Sequence, residues 1–110
     1  MINLPSSGSI WIASKPVDMR KSHDGLAALI EKHLKQNARS GRVYVFFNKR
    51  FNRVKILYWD RNGYCLWYKR LELGRFSPPK LHQKSYQVDT GELNLLLEGI
   101  DLTTHRLRRY

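Results

Sequence analysis

Four histidines (His23, His33, His82, His105), one cysteine (Cys65) and nine carboxylates are the residues of this 110-residue chain that could ligate a metal or attack a bond. A metal centre needs several such ligands converging, most simply two on one helix face or in a short Cys/His spacing. No two histidines have that spacing and none lies close to Cys65 in the chain, so no metal is expected. Cys65 stands in an apolar, strand-like run and reads as a small core residue, with no neighbouring base to make it a nucleophile. Metal-dependent nucleases use paired carboxylates. Here Asp60 belongs to a turn, Asp89 and Glu92 to a helix cap, Asp18 to another cap, and Glu31 and Glu98 to helix surfaces. Asp24 sits near a helix start, where an acid is favoured by the helix dipole. Asp24 and Asp101 are the least explained, and no surplus of acids is left to hold two metals. Neither GxxxxGK[ST] nor GxGxxG occurs. The expectation is a non-enzyme without a cofactor.

The chemistry that remains is that of cations and rings. Twenty Lys/Arg against nine Asp/Glu give a formal charge of +11. Between Arg39 and Arg75, ten cations face only Asp60 and Glu72, a local balance of +8. Basic charge gathered along one region is the footprint of a polyanion partner. Within it, WDRNGYCLWYKRLELGRF (59–76) sets rings and cations side by side. Arg50, Arg53, Lys55, Lys69, Arg70 and Arg75 are the candidate phosphate ligands, with Trp59 or Tyr68 able to stack on or wedge between bases. The competing reading packs every ring in the core with the Lys and Arg stems lying across them. Three arginines, Arg106, Arg108 and Arg109, form a second basic cluster at the end.

These side chains need a scaffold. The length and the 42% hydrophobic content fit one domain over residues 1–102, followed by a basic tail over 103–110. No apolar run approaches the roughly 20 residues that span a bilayer, and the first residues lack a secretory pattern. With one cysteine, a reducing cytoplasm is expected. Ser9–Ser14 reads as a short first strand or an extended lead-in. Leu26, Leu29, Ile30 and Leu34 recur at helical spacing and predict a helix over Ser22–Gln36. Three strand-like runs follow, Val43–Asn48, Arg53–Trp59 and Tyr64–Leu71, with Lys49–Asn52 a hairpin-sized connection. A proline-bearing loop follows Gly74, Tyr86–Val88 is a short strand, and Asp89 with Glu92 forms a capping box before Leu93, Leu96, Leu97 and Ile100. The expected fold is α+β: an antiparallel meander of three to five strands on one main amphipathic helix, plus a short C-terminal helix.

Asp60-Arg61-Asn62-Gly63 joins the second and third runs as a hairpin, and its type sets the faces. A two-residue type I′ turn puts Lys55, Leu57 and Trp59 beside Leu66, Tyr68 and Arg70, a mixed basic-aromatic face opposite a mainly apolar one. A type I turn with a G1 bulge mixes both faces, and the sequence leaves the choice open.

Three long strings, PVDMRKSHDGLAALI (16–30), FNKRFNRVKILYWDRNGYCLWYKRLELGRF (47–76) and LLLEGID (95–101), occur in order over most of the chain. In them the chain resembles the TnpB-type accessory protein, the second open reading frame product, of the bacterial insertion-sequence family numbered sixty-six. The motif positions are Asp18, Met19, Arg20, Lys21, Asp24, Gly25, Trp59, Asp60, Gly63, Lys69, Arg70 and Gly74. Ser22-His23 stands where many relatives have Gly-Phe. The resemblance implies an accessory role in DNA transposition, beside a separate transposase that carries the catalytic acids. Three partners follow as expectations: DNA, at the element ends or as nonspecific duplex; the transposase itself, with this chain as an adaptor; and a second copy in a homo-oligomer. RNA of the element is an alternative to DNA, and no membrane partner is expected.

Overall fold

The computed structural model describes residues 9–102, so the basic tail from 103 lies outside the described residues. Seven elements follow one another: β1 (Ile10–Ala13), α1 (His23–Lys32), β2 (Val43–Phe47), β3 (Arg53–Asp60), β4 (Gly63–Arg70), β5 (Ser85–Val88) and α2 (Thr90–Leu97). They build a five-stranded sheet in the order β4-β3-β2-β1-β5. The α+β class and the β2-β3-β4 meander are as expected. The sheet is nevertheless mixed, because β1 lies parallel to β2 and antiparallel to β5. A parallel pair needs a crossover, and α1 supplies it.

The two helices take opposite faces. Leu26, Ala27 and Ile30 of α1 pack on Ala13, Tyr44, Phe46 and Leu57. Leu93, Leu96 and Leu97 of α2 pack on Ile10, Ile12, Val43, Val45, Phe47, Val54 and Ile56. The strand period of two sends alternate residues of β2 to each layer. With both faces covered, all five β2 residues are buried, which is why VYVFF reads as an unbroken apolar run.

Element ends refine the sequence reading. The α1 N-cap is Ser22, not Asp18. Asp18 is taken up earlier, accepting from the Arg20 amide at 2.9 Å and from its guanidinium at 2.6 Å. At the other end α1 stops at Lys32, four residues short of the expected Gln36. Lys35 adopts φ 56°, a left-handed conformation that cannot continue a helix. The Gln36 amide then reaches back to the Ile30 carbonyl at 3.1 Å. Glu31, read as a surface acid, accepts from the Ala38 amide and anchors the following turn. The α2 capping box is present: Asp89 accepts from the Glu92 amide, and Glu92 from the Asp89 amide.

The β3–β4 hairpin is a two-residue connection in which Asp60 faces Gly63 and all eight pairs run without a bulge. This is the register that places Lys55 opposite Tyr68, Leu57 opposite Leu66 and Arg53 opposite Arg70. Of the two central residues only Arg61 has positive φ, at 45°, so the register of a type I′ turn is reached without its dihedral signs. No helix among the described residues is long and apolar enough to cross a membrane.

Candidate nucleic-acid interface

β3 and β4 carry the candidate side chains from one end of the sheet to the other. At one end lies the β2–β3 loop, Asn48–Asn52. Asn48 organises it: its side-chain oxygen accepts from the Asn52 and Arg53 amides at 3.0 and 2.9 Å, and its amide nitrogen donates to Asn52 Oδ1 at 2.7 Å. Phe51 takes φ 56° there and drops its ring against Phe47, which also meets Phe76 at 5.5 Å. The loop's rings therefore point inward, and Lys49 and Arg50 are left exposed. After β4 the chain returns beside this loop, with Leu71 N–H donating to Asn52 O and Phe76 N–H to Phe51 O. Gly74 makes that return possible at φ 82°, a conformation other residues rarely hold.

Two adjoining concavities result. Lys49, Arg50, Asn52 and Arg75 line the first, a hollow of about 540 Å³ that also includes Glu72. Lys49, Arg50, Asn52 and Arg53 line the second, together with Asp18 and Met19. Arg70, opposite Arg53, adds an exposed guanidinium that pairs with Glu72 at 2.8 Å. Of the six cations named from sequence, Arg50, Arg53, Arg70 and Arg75 thus meet at one end, and Lys49 belongs with them. Lys49 was hidden in the sequence among many equal cations, although its place in a hairpin loop was legible.

Two of the six do other work. Lys55 is 7% exposed, and its ammonium donates to Met19 O and Lys21 O at 2.7 Å each. It thereby ties the Asp18–Lys21 loop to β3, with the Tyr68 ring 4.8 Å beneath it. Lys69 lies on the α2 side and donates to Leu97 O at 2.7 Å, a cation at a helix C-terminus. The three long sequence strings are joined through these two ammonium groups. Tyr68 is the most accessible candidate ring, at 46%, and its hydroxyl accepts from Arg53 at 3.1 Å.

Trp59 sits elsewhere. Six residues of strand separate it from Arg53, roughly 20 Å. At that end Trp59 meets Tyr64 edge-on at 5.0 Å, and the Arg39 guanidinium lies 4.5 Å over the indole. Arg42 similarly lies 5.4 Å over Trp11. Gln36 orders the approach, its side-chain oxygen accepting from Arg42 and from the Tyr44 hydroxyl at 2.9 Å each. Arg39, Arg42, Trp11 and Tyr64 were not singled out from sequence. For Arg39, Arg42 and Trp11 the partners are set by the turn after α1 and by the parallel pairing of β1, which no local pattern announces, whereas Tyr64 meets Trp59 directly across the β3–β4 hairpin.

The family-motif residues fall in three places. Asp18, Met19, Arg20 and Lys21 form the loop before α1, and Asp24 and Gly25 its first turn. Hydrogen bonding from Arg20 holds the Asp18 carboxyl well below its ordinary value, at about 2. A side chain on Gly25 would press on Lys21 Cβ at 3.3 Å, so the glycine lets that loop lie close. Trp59, Asp60 and Gly63 occupy the hairpin turn, and Lys69, Arg70 and Gly74 the loop end. Among the described residues no three His, Cys, Asp or Glu side chains converge as a metal site.

Compared with known proteins, the chain matches the family model described as "IS66 Orf2 like protein" over residues 8–107. It is similar to two proteins of Sinorhizobium fredii (strain NBRC 101917 / NGR234). "Uncharacterized protein y4jC" is 37% identical over 100 residues, a match taking in 90% of this chain and 86% of the relative. "Uncharacterized protein y4hO" is 35% identical over 100 residues, taking in 89% of this chain and 87% of the relative. No solved structure matches.

Proposed function

The chain belongs to the IS66 Orf2-like family, which ties it to insertion-sequence transposition, and from that premise we propose that it is a non-catalytic, cytoplasmic accessory factor that binds DNA through the loop end of its sheet. One observation carries this reading: Lys49, Arg50, Arg53 and Arg75 surround two adjoining hollows that share Lys49, Arg50 and Asn52. A concave, cationic rim with short polar side chains between suits phosphate oxygens, which accept from Lys, Arg and Asn alike. Arg70 extends the rim, and Tyr68 offers a ring beside it. The DNA bound is an element end or nonspecific duplex, because backbone contacts of this kind carry no sequence information.

The test is a salt-titrated binding assay on element-end duplex. If about four phosphates are neutralised, affinity falls roughly a hundredfold between about 50 and 200 mM salt. Absence of any salt-sensitive binding at micromolar protein defeats the reading. Equal lengths of RNA as competitor decide between the element's DNA and its transcript.

A second reading, an adaptor docking on the transposase, is favoured by the opposite end of the sheet. Trp11, Trp59, Tyr64, Arg39 and Arg42 are the residue types that dominate protein–protein contacts. Co-purification with the transposase from nuclease-treated lysate, lost on Arg39→Ala with Arg42→Ala, supports it.

A further inference from the structure

β4 is an edge strand of eight residues, and the sheet's other edge, β5, has only four. Long edges invite pairing with another strand, and proteins blunt them with prolines, bulges or outward-pointing lysines. β4 has no proline, and its eight pairs with β3 show no bulge. Its one lysine, Lys69, is drawn across the α2 side to Leu97 O. Arg70 is held by Glu72. The usual guards are missing or turned away.

The free groups of this edge can be named. Leu71 N–H donates to Asn52 O, so these two form a hydrogen-bonded pair of the ladder. Alternation then turns the N–H and C=O of Lys69, Trp67 and Cys65 toward β3, and those of Arg70, Tyr68, Leu66 and Tyr64 outward. Among the described residues no hydrogen bond reaches these outward groups.

We infer that β4 pairs antiparallel with β4 of a second copy, joining two sheets into one across a two-fold axis at Trp67. The edge can be matched by its own copy, four outward residues against four, and the placement of charge along the strand selects the antiparallel orientation. The strand's cations, Lys69 and Arg70, lie at one end, and its uncharged residues, Gly63 to Leu66, at the other. Antiparallel pairing sets each cationic end against the other copy's uncharged end; parallel pairing would set cation on cation. Centred on Trp67, the register faces Arg70 with Tyr64 and Leu66 with Tyr68 of the other copy. It uses all four outward residues of each strand, giving about eight main-chain hydrogen bonds. Arginine over a ring is already how this protein settles its cations, as Arg39 does on Trp59.

Sedimentation of the full chain without DNA tests the inference, with Tyr68→Ala and Tyr68→Pro compared. Alanine keeps the outward N–H; proline removes it and leaves the β3 ladder intact, because the Tyr68 N–H does not point that way. A dimer is expected at tens of micromolar for the wild type and Tyr68→Ala, with Tyr68→Pro monomeric and native by circular dichroism. Arg70→Pro, at the strand's exposed end, provides a second monomeric variant. Salt separates this from DNA binding: screening the +11 charge strengthens the dimer and weakens the DNA complex. Amide exchange gives a mutation-free reading, with the Tyr64, Leu66, Tyr68 and Arg70 amides slowing as protein concentration rises. The inference is overturned by a monomeric wild type at several hundred micromolar. A folded proline variant that still dimerises overturns it too, as does a Tyr68→Ala variant as monomeric as Tyr68→Pro.

Discussion

The two ends of the β3–β4 ladder are built from the same residue types and solve different problems. At the Asn48–Asn52 end, Phe47, Phe51 and Phe76 turn inward and Lys49 and Arg50 stand free of rings. At the Arg61–Asn62 end, Arg39 and Arg42 lie over Trp59 and Trp11. In the first arrangement the cations keep their charge for a visitor. In the second the ring faces are already occupied, and a base would have to displace a guanidinium to stack there. A run of mixed rings and cations is therefore two surfaces, and only geometry separates them.

The largest way to break the comparison is to remove the ring that supports the loop end. Phe76 is 1% exposed and packs against Phe47, the two rings tilted at 51°. Phe76→Ala costs about 3–4 kcal/mol by lost burial and the cavity left; urea unfolding measures it. A loss under about 1 kcal/mol would mean that the segment after β4 does not dock as described. Next in size, Lys49→Ala with Arg50→Ala weakens duplex binding about tenfold at fixed salt and lowers the salt slope by about two. Stability should stay within about 0.5 kcal/mol, because both side chains are exposed.

How much of this was open to the sequence depends on the range of the interaction. The capping box at Asp89 and the meander were legible because their signals lie within a few residues. The strand period put Lys55 and Arg53 on one face, and the hairpin set their neighbours once its loop length was known. What escaped was set over longer range. The parallel docking of β1 beside β2 rests on α1 crossing the sheet, and it brings Trp11 to Arg42. The capture of Lys55 by Met19 O and Lys21 O spans more than thirty positions. A lysine on a strand reads as a solvated cation, yet here it is a buried tie, because two carbonyls of an irregular loop needed a donor. Likewise, Asp18 reads as a helix cap because its type and position suit one; the nearby Arg20 competes successfully for the carboxylate.

Smaller effects sharpen the contrast. Arg39→Ala removes the guanidinium over Trp59 and Tyr64 and costs about 0.5–1 kcal/mol. Trp59 lies at the surface once uncovered, so tryptophan emission should shift to the red. Duplex affinity should change by less than about twofold, beyond the single lost charge. A loss as large as that of the Lys49 and Arg50 double variant would move the DNA interface to the turn end and reverse the comparison.

The smallest effect is a pH response of the loop before α1. Asp18, in this exposed loop, is held at about 2 by Arg20, below its ordinary 3.8. A carboxyl depressed on folding stabilises the native state above its unfolded pKa, and that contribution is lost as pH falls through its folded value. The stability difference between the wild type and Asp18→Asn should therefore be constant above about pH 5 and close as pH falls from about 4 toward 2. Carbon NMR of the carboxyl reads the same transition directly. If Asp18 titrates near 3.8, or the difference persists unchanged at pH 2, then Arg20 does not clamp it, and Lys55 alone orders the loop beside the basic hollow.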